Sequence, residues 1–351
     1  RGGAGNDLLN GGSSENGSLH LFNTALYDDS PGPINVLLGL GAGFGNGTAS
    51  DGWGSTDTLI NINVIRGSAF NDSITGSNGL VVEHFEGGLG DDVLDGGVIT
   101  DTLNYDNANR VSYKNASGVV MVDLKAGTSS GADGADQLAS MSFNQVQGSD
   151  FNDSLYGSDR TDVTESFEGR TGDDHIDGRG GFDVVHFSHA AKGVQASLVT
   201  GTATDAIAGG EVPSIGSDTF VNVEGLFGSS FDDILIGGLT ANGVTYSDGK
   251  FEFFRGNDGN DTIDGGQGFD IADYLTSTSG VVATLNGSLD GSASDGLDGA
   301  DVLRNIEGLY GSPQGDTLTG SDSAAMELFR GDAGDDLIDG KGGTDLVDYF
   351  N

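Results

Sequence analysis

The 351-residue chain contains no cysteine, which excludes disulfides and thiolate metal centres together. Only five histidines are present, so zinc or copper held mainly by imidazole is disfavoured as well. Lys and Arg number 14 against 54 Asp and Glu, a balance of 14 − 54 = −40. Such a surface repels phosphate and excludes nucleic acid as a partner. No apolar run approaches the roughly 18 residues of a membrane span, and no stretch of useful length repeats with a helical period. There is no opening Met and no signal peptide, and both ends lie mid-pattern, as expected of a piece of a longer array.

Glycine and aspartate take the place of what is missing, with 63 glycines in the chain. The segment Gly87-Gly88-Leu89-Gly90-Asp91-Asp92-Val93-Leu94-Asp95 sets out a nine-residue pattern, GGxGxDxUx, where U is apolar. Copies that place Asp7, Asp72, Asp92, Asp101, Asp153, Asp174, Asp183, Asp233, Asp261, Asp270, Asp316, Asp336 and Asp345 sixth have an apolar residue eighth in every case. Those residues are Leu9, Ile74, Leu94, Leu103, Leu155, Ile176, Val185, Leu235, Ile263, Ala272, Leu318, Ile338 and Val347. The pattern predicts a tight glycine turn, a carboxylate at its end, and a short strand with one side chain facing inward.

A glycine turn can point successive carbonyl oxygens at one spot, and the aspartate adds a hard anionic oxygen there. Calcium takes about 6 to 8 oxygen ligands and tolerates irregular geometry. Two stacked turns, each giving carbonyls and one carboxylate, can supply that shell. Gly87 and Leu89, Gly169 and Thr171, Gly256 and Asp258, and Gly331 and Ala333 are the expected backbone donors beside the aspartates. With these motifs the chain resembles the RTX, or hemolysin-type, calcium-binding repeat family of type I secreted bacterial proteins. The resemblance implies an all-β parallel β-roll or β-helix solenoid, multiple calcium ions, and a secreted or cell-surface location. Calcium would also offset the −40 charge, which in a bare chain opposes collapse. A disordered acidic tail is the alternative reading, and 35% hydrophobic residues in strict period argue against it.

A longer period organises the short one. Phe85 to Asp92 returns at Phe167 to Asp174, Phe254 to Asp261 and Phe329 to Asp336, at intervals of 82, 87 and 75 residues. Four large units follow, 1–84, 85–166, 167–253 and 254–328, with 329–351 beginning a further one. Each holds four turns and a spacer. The second turn is irregular, with Asp162 sixth in one unit but Val81, Asn242 and Ala325 in the others, so its site is expected to be weak, incomplete or completed by other groups. If successive turns alternate sides, turn one stacks on turn three, pairing Asp72 with Asp92, Asp153 with Asp174, Asp233 with Asp261 and Asp316 with Asp336. The fourth-turn Asp101, Asp183, Asp270 and Asp345 then face the other side, where Asp162 matches Asp183. The spacers read as β-rich runs, such as Gly118–Leu124, each followed by an acidic glycine loop and a closing strand such as Val302–Leu309. The loop acids Asp133, Asp136, Asp295, Asp298 and Asp301 read more readily as solvated than as ligands. A string of Ig-like sandwiches is the runner-up architecture and leaves the nine-residue glycine recurrence unexplained.

Nothing in the chain points to catalysis. Gly127-Thr128-Ser129-Ser130-Gly131 fits GxSxG but lacks a strand-to-helix context. His186 and His189 lack the glutamate of a zinc protease motif. Trp53 sits among glycines and reads as local packing. The function expected is a non-enzymatic, calcium-binding structural segment that folds outside the cell. It is expected to self-associate head to tail as a rod or filament, to serve as an adhesin or biofilm matrix element, and to contact cell-surface polysaccharide or matrix. A calcium-dependent accessory and secretion-folding module of an RTX toxin or extracellular enzyme is the alternative.

Overall fold

The computed structural model describes residues 1–12, 22–39, 46–79, 82–99, 108–206, 214–238, 251–294 and 299–349, and among them there is no helix. They form two compact units, Arg1–Asp183 and Val184–Asn351. Each unit carries two sheets of strands two to five residues long.

In the first unit one sheet is wholly parallel, pairing Thr24–Leu26, Val64–Arg66, Glu83–Glu86, Asn109–Ser112, Gln145–Gln147 and Thr164–Glu168 in that order. Its counterpart in the second unit runs from the strand Phe182–His186, which pairs over 184–186, through Gly225–Phe227, Glu252–Arg255, Asp270–Asp273, Gly308–Tyr310 and Leu328–Arg330 to Leu346–Val347. Parallel pairing of consecutive short strands is what glycine turns at nine-residue spacing produce, because each turn sends the chain to the opposite sheet. It excludes antiparallel Ig-like sandwiches.

Three-residue strands with one inward side chain give each coil a single core residue per sheet. Ile74 opposes Leu94, Leu155 opposes Ile176, Leu235 opposes Ile263 and Leu318 opposes Ile338, so the eighth positions stack on one another. Across the interior the first unit stacks Ile65, Phe85, Val111, Val146 and Phe167, and the second stacks Val185, Leu226, Phe254, Ala272, Leu309, Phe329 and Val347. Phe85, Phe167, Phe254 and Phe329, which mark the long period in the sequence, are all fully buried.

The spacers differ from the expected pattern. Each folds as a three-stranded antiparallel meander lying in the plane of the other sheet. Val120–Asp123, Thr128–Gly131 and Gln137–Leu138 form one, and its outer strands continue the parallel ladder to Ser154–Tyr156 on one side and to Val93–Asp95 on the other. Three further meanders begin at Asn35–Leu38, Val194–Ser197 and Val282–Thr284. The closing strand expected over Val302–Leu309 is two strands, Asp301–Arg304 and Gly308–Tyr310, in opposite sheets. Asn305 turns the corner between them in the left-handed region, φ 50°, and Asn61, Met141 and Asn222 do so in the other spacers.

Candidate metal centres

The aspartate of a turn lies against the first glycine of the same turn. A Cβ added at Gly87, Gly169, Gly256 or Gly331 would fall 2.1, 2.2, 2.0 or 2.2 Å from Oδ2 of Asp92, Asp174, Asp261 or Asp336. First place is therefore glycine because of contact with the carboxylate. Fourth place is glycine for conformational reasons, since Gly90, Gly172, Gly259 and Gly334 have φ near 124–132°.

Turn one stacks on turn three as the spacing predicts, and the acids meet through backbone. The N–H of Asp72 donates to Oδ1 of Asp92 at 2.7 Å, that of Asp153 to Asp174 at 2.7 Å, that of Asp233 to Asp261 at 2.8 Å, and that of Asp316 to Asp336 at 2.9 Å. The ladder extends into the meanders. Asp92 N–H donates to Asp136 Oδ1 and Asp261 N–H to Asp301 Oδ1, both at 3.0 Å, and Asp7 N–H reaches Asp57 Oδ1 at 3.0 Å.

Asp136 and Asp301 thus depart from the solvated-loop reading: both are buried rungs of the ladder. Their other oxygen accepts a tyrosine hydroxyl, from Tyr113 at 2.8 Å and Tyr274 at 2.9 Å, as Asp57 accepts one from Tyr27 at 3.2 Å. No nine-residue register marks these acids, which is why sequence reasoning missed their burial. Asp133 is part-buried, and Asp295 and Asp298 lie outside the described residues.

Whether the turns suit a hard cation is answered by the carboxylates of the third turns. Asp92 and Asp261 are 1% exposed, and Oδ2 of each has no hydrogen-bond partner. A buried carboxylate oxygen without a donor is costly unless a cation or a proton meets it. Burial raises Asp92 to about 7, Asp174 to about 8 and Asp261 to about 9, opposed by the backbone N–H each accepts and reinforced by neighbouring acids. Burial likewise raises Asp233 to about 6, and Asp72, Asp153 and Asp316 upward. Oδ2 of Asp7 is also without a hydrogen-bond partner. The donor set is all oxygen, as calcium requires. Among the described residues no three His, Asp or Glu side chains converge as a metal cluster, so a complete shell draws on backbone carbonyls. Leu89, Asp258 and Ala333 turn their side chains to solvent and Thr171 donates its hydroxyl to the Asp150 carbonyl, which leaves the backbone of these positions as their contribution.

On the other side of the coils Asp183 and Asp270 are buried, and Asp345 is part-buried with Oδ1 lacking a hydrogen-bond partner. Burial, together with Glu252 and Glu307, raises Asp270 to about 9. Asp101 lies outside the described residues. Asp162 does not share the burial of Asp183. Its carboxylate is mostly exposed and takes two 3.0 Å bonds from the Arg160 guanidinium.

The acid that completes the irregular second turn is a glutamate. Glu83, Glu165, Glu252 and Glu327 are buried, each two residues before the buried phenylalanine, and accept the N–H of Ser77, Ser158, Gly238 and Ser321 at 2.7–2.9 Å. Burial raises Glu83 to about 7. The recurring Glu-x-Phe was the available signal.

The remaining motifs lie apart from this chemistry. Ser129 sits in an antiparallel strand and donates its hydroxyl to Asp136 at 2.8 Å. His186 packs on Phe227, centroids 4.7 Å apart. Trp53 donates its backbone N–H to Asp51. Among the described residues no helix is long and apolar enough to cross a membrane.

Seven segments match a family model described as the RTX calcium-binding nonapeptide repeat (4 copies): residues 1–16, 57–79, 83–107, 142–163, 160–187, 253–272 and 327–348. No curated protein matches the chain at a significant level. The matched segments recur from the first turn described to the last and take in most of the glycine turns, so the chain carries multiple copies of the RTX calcium-binding nonapeptide repeat, a motif that binds multiple calcium ions.

Proposed function

We propose that the chain is a calcium-loaded structural segment of a secreted or cell-surface bacterial RTX protein, one that gains its fold on meeting calcium outside the cell. The observation that carries this reading is the buried, unpartnered Oδ2 of Asp92 and of Asp261. Without a cation, stacked coils hold carboxylates of like charge in a dry interior and the chain bears −40 overall. Calcium supplies positive charge at those turns, which makes ion binding part of folding. A chain kept unfolded by low cytosolic calcium can pass an exporter before it folds.

The role of the folded segment is scaffolding. Coils that contact only their neighbours add along one direction, which suits head-to-tail self-association into a rod or filament in an adhesin or matrix, against surface polysaccharide. Circular dichroism in EGTA and then in millimolar calcium tests the folding claim. A disordered spectrum converting to β is expected, and an unchanged β spectrum after thorough chelation would sink it. Light scattering with and without calcium tests assembly. A strictly monomeric particle in millimolar calcium would remove the filament and favour the accessory-module reading.

A further inference from the structure

The turns fall into two backbone classes. In the third turns the second residue is left-handed: Gly88 at φ 99°, Arg170 at 80°, Asn257 at 68° and Asp332 at 61°. The fourth turns repeat this with Gly97 at 81°, Arg179 at 67°, Gly266 at 83° and Lys341 at 54°. In the first turns the second residue is Ser68, Ser149, Ser229 or Ser312, and none of these has positive φ.

That serine closes its turn. Its N–H donates to Oδ2 of Asp72, Asp153, Asp233 or Asp316 at 2.5, 2.5, 2.6 and 2.7 Å. Its hydroxyl donates to Oδ1 at 2.8, 2.8, 2.8 and 2.7 Å. Oδ1 also accepts the N–H of Ile34, Val120, Val194 or Val281 at 2.6–2.8 Å. Both oxygens of these four aspartates are therefore met by protein donors. The acids of Asp92 and Asp261 keep an oxygen with none, although they too are buried.

We propose that the residue in second place decides which turns take calcium, so that turns with serine there are closed by the protein and hold no ion, while the ions go to the turns whose second residue is left-handed. This rests on the calcium reading above. The chemistry follows from where the donors sit: N–H and O–H groups aimed at a carboxylate already stabilise its charge and present their positive ends to the space a cation needs. Two of the second turns repeat the arrangement, since Ser158 and Ser321 give both N–H and hydroxyl to Glu165 and Glu327, whereas Glu83 keeps Oε1 without a hydrogen-bond partner and Glu252 is met by the N–H of Gly238. The first turns at Ser229 and Ser312 also lie outside the segments that match the repeat family, although those at Ser68 and Ser149 lie within them. Within a unit, turns that the protein closes by itself would then come before the turns that wait for the ion.

Native mass spectrometry in calcium, counting retained ions on the wild type, Asp153→Asn and Asp174→Asn, tests this. Asp174→Asn should retain fewer ions, while Asp153→Asn keeps the wild-type count. Ser149→Ala should keep the count and lower the thermal midpoint. Loss of ions from Asp153→Asn equal to that from Asp174→Asn, in proteins with wild-type circular dichroism, would overturn the proposal. If Asp153→Asn does not fold, Ser149→Ala decides, and a drop in its ion count is equally fatal. A wild type that retains no calcium would remove the underlying reading, a result distinct from equal losses in the two variants.

Discussion

Tyr113 donates its hydroxyl hydrogen to Asp136 Oδ2 at 2.8 Å, beside the hydroxyl of Ser129, which donates to the same oxygen at 2.8 Å. The buried carboxylate is thereby satisfied without an ion, and the meander is tied to the turn it follows. Removing one of two donors to a buried charged acceptor should cost on the order of 1.5 to 3 kcal/mol, toward the lower end because Ser129 remains. Tyr113→Phe in saturating calcium should lower stability by that amount in urea unfolding, with the calcium count unchanged. An unaltered midpoint would mean that the tyrosine packs without bonding.

Each coil gives the interior one side chain from each sheet, so a large residue has no further layer to compensate for its loss. Phe167 is fully buried between neighbouring coils. Phe167→Ala should destabilise the calcium-loaded protein by about 3 to 5 kcal/mol. Val119→Ala, at an exposed site, should change it by less than about 0.5 kcal/mol. Equal effects in paired unfolding measurements would contradict the assigned interior.

Acidity should substitute for calcium. Burial lifts Asp92 to about 7, Asp174 to about 8, Asp261 to about 9 and Glu83 to about 7, from ordinary values of 3.8 for Asp and 4.5 for Glu. A group raised on folding binds its proton more tightly in the folded state. Its stabilising contribution is therefore complete below the ordinary value and disappears as pH rises through 7 to 9. In EGTA the β signal should grow as pH is lowered from 9 to 5, a range above the pI of about 4.1. Calcium should add most stability at the alkaline end, where the proton is absent. A metal-free β signal that falls over the same acidification would refute the burial of these acids.

The corner residues offer a gain of stability. Asn61, Asn222 and Asn305 turn their spacers at φ 50–54°, while Met141 does so at φ 64° with its side chain exposed. Asparagine tolerates this region through local hydrogen bonding, whereas methionine has no such relief. Met141→Asn should raise stability by up to about 1 kcal/mol, read as a higher thermal midpoint in calcium. A lower midpoint would show that the methionine side chain contributes packing there.

The legible part of this fold is the part with a short period. Glycine and aspartate five residues apart locate the turns, and the apolar eighth position locates residues such as Ile74 and Leu94, because contact and pleat act within nine residues. The meanders escaped because strand direction is not encoded by alternation, and the single corner residue Asn305 divides what reads as one strand. Asp162 was misleading for a related reason. It holds the expected sequence position, but Arg160 draws it outward while Glu165 reaches the turn from the adjacent strand. Backbone proximity across coils, not spacing along the chain, selects the acid.

The meanders also bear on how such a chain can change over time. Their first and second strands are joined by eight, four, four and six residues, at 39–46, 124–127, 198–201 and 285–290. The parallel pairing on either side is the same in kind whichever length intervenes. A hairpin tip at the rim of a sheet can lengthen or shorten without shifting any stacked residue inside. Insertions and deletions are thereby confined to places where they leave the glycine turns in phase, and the tips are natural positions at which foreign peptides can be grafted onto the coil.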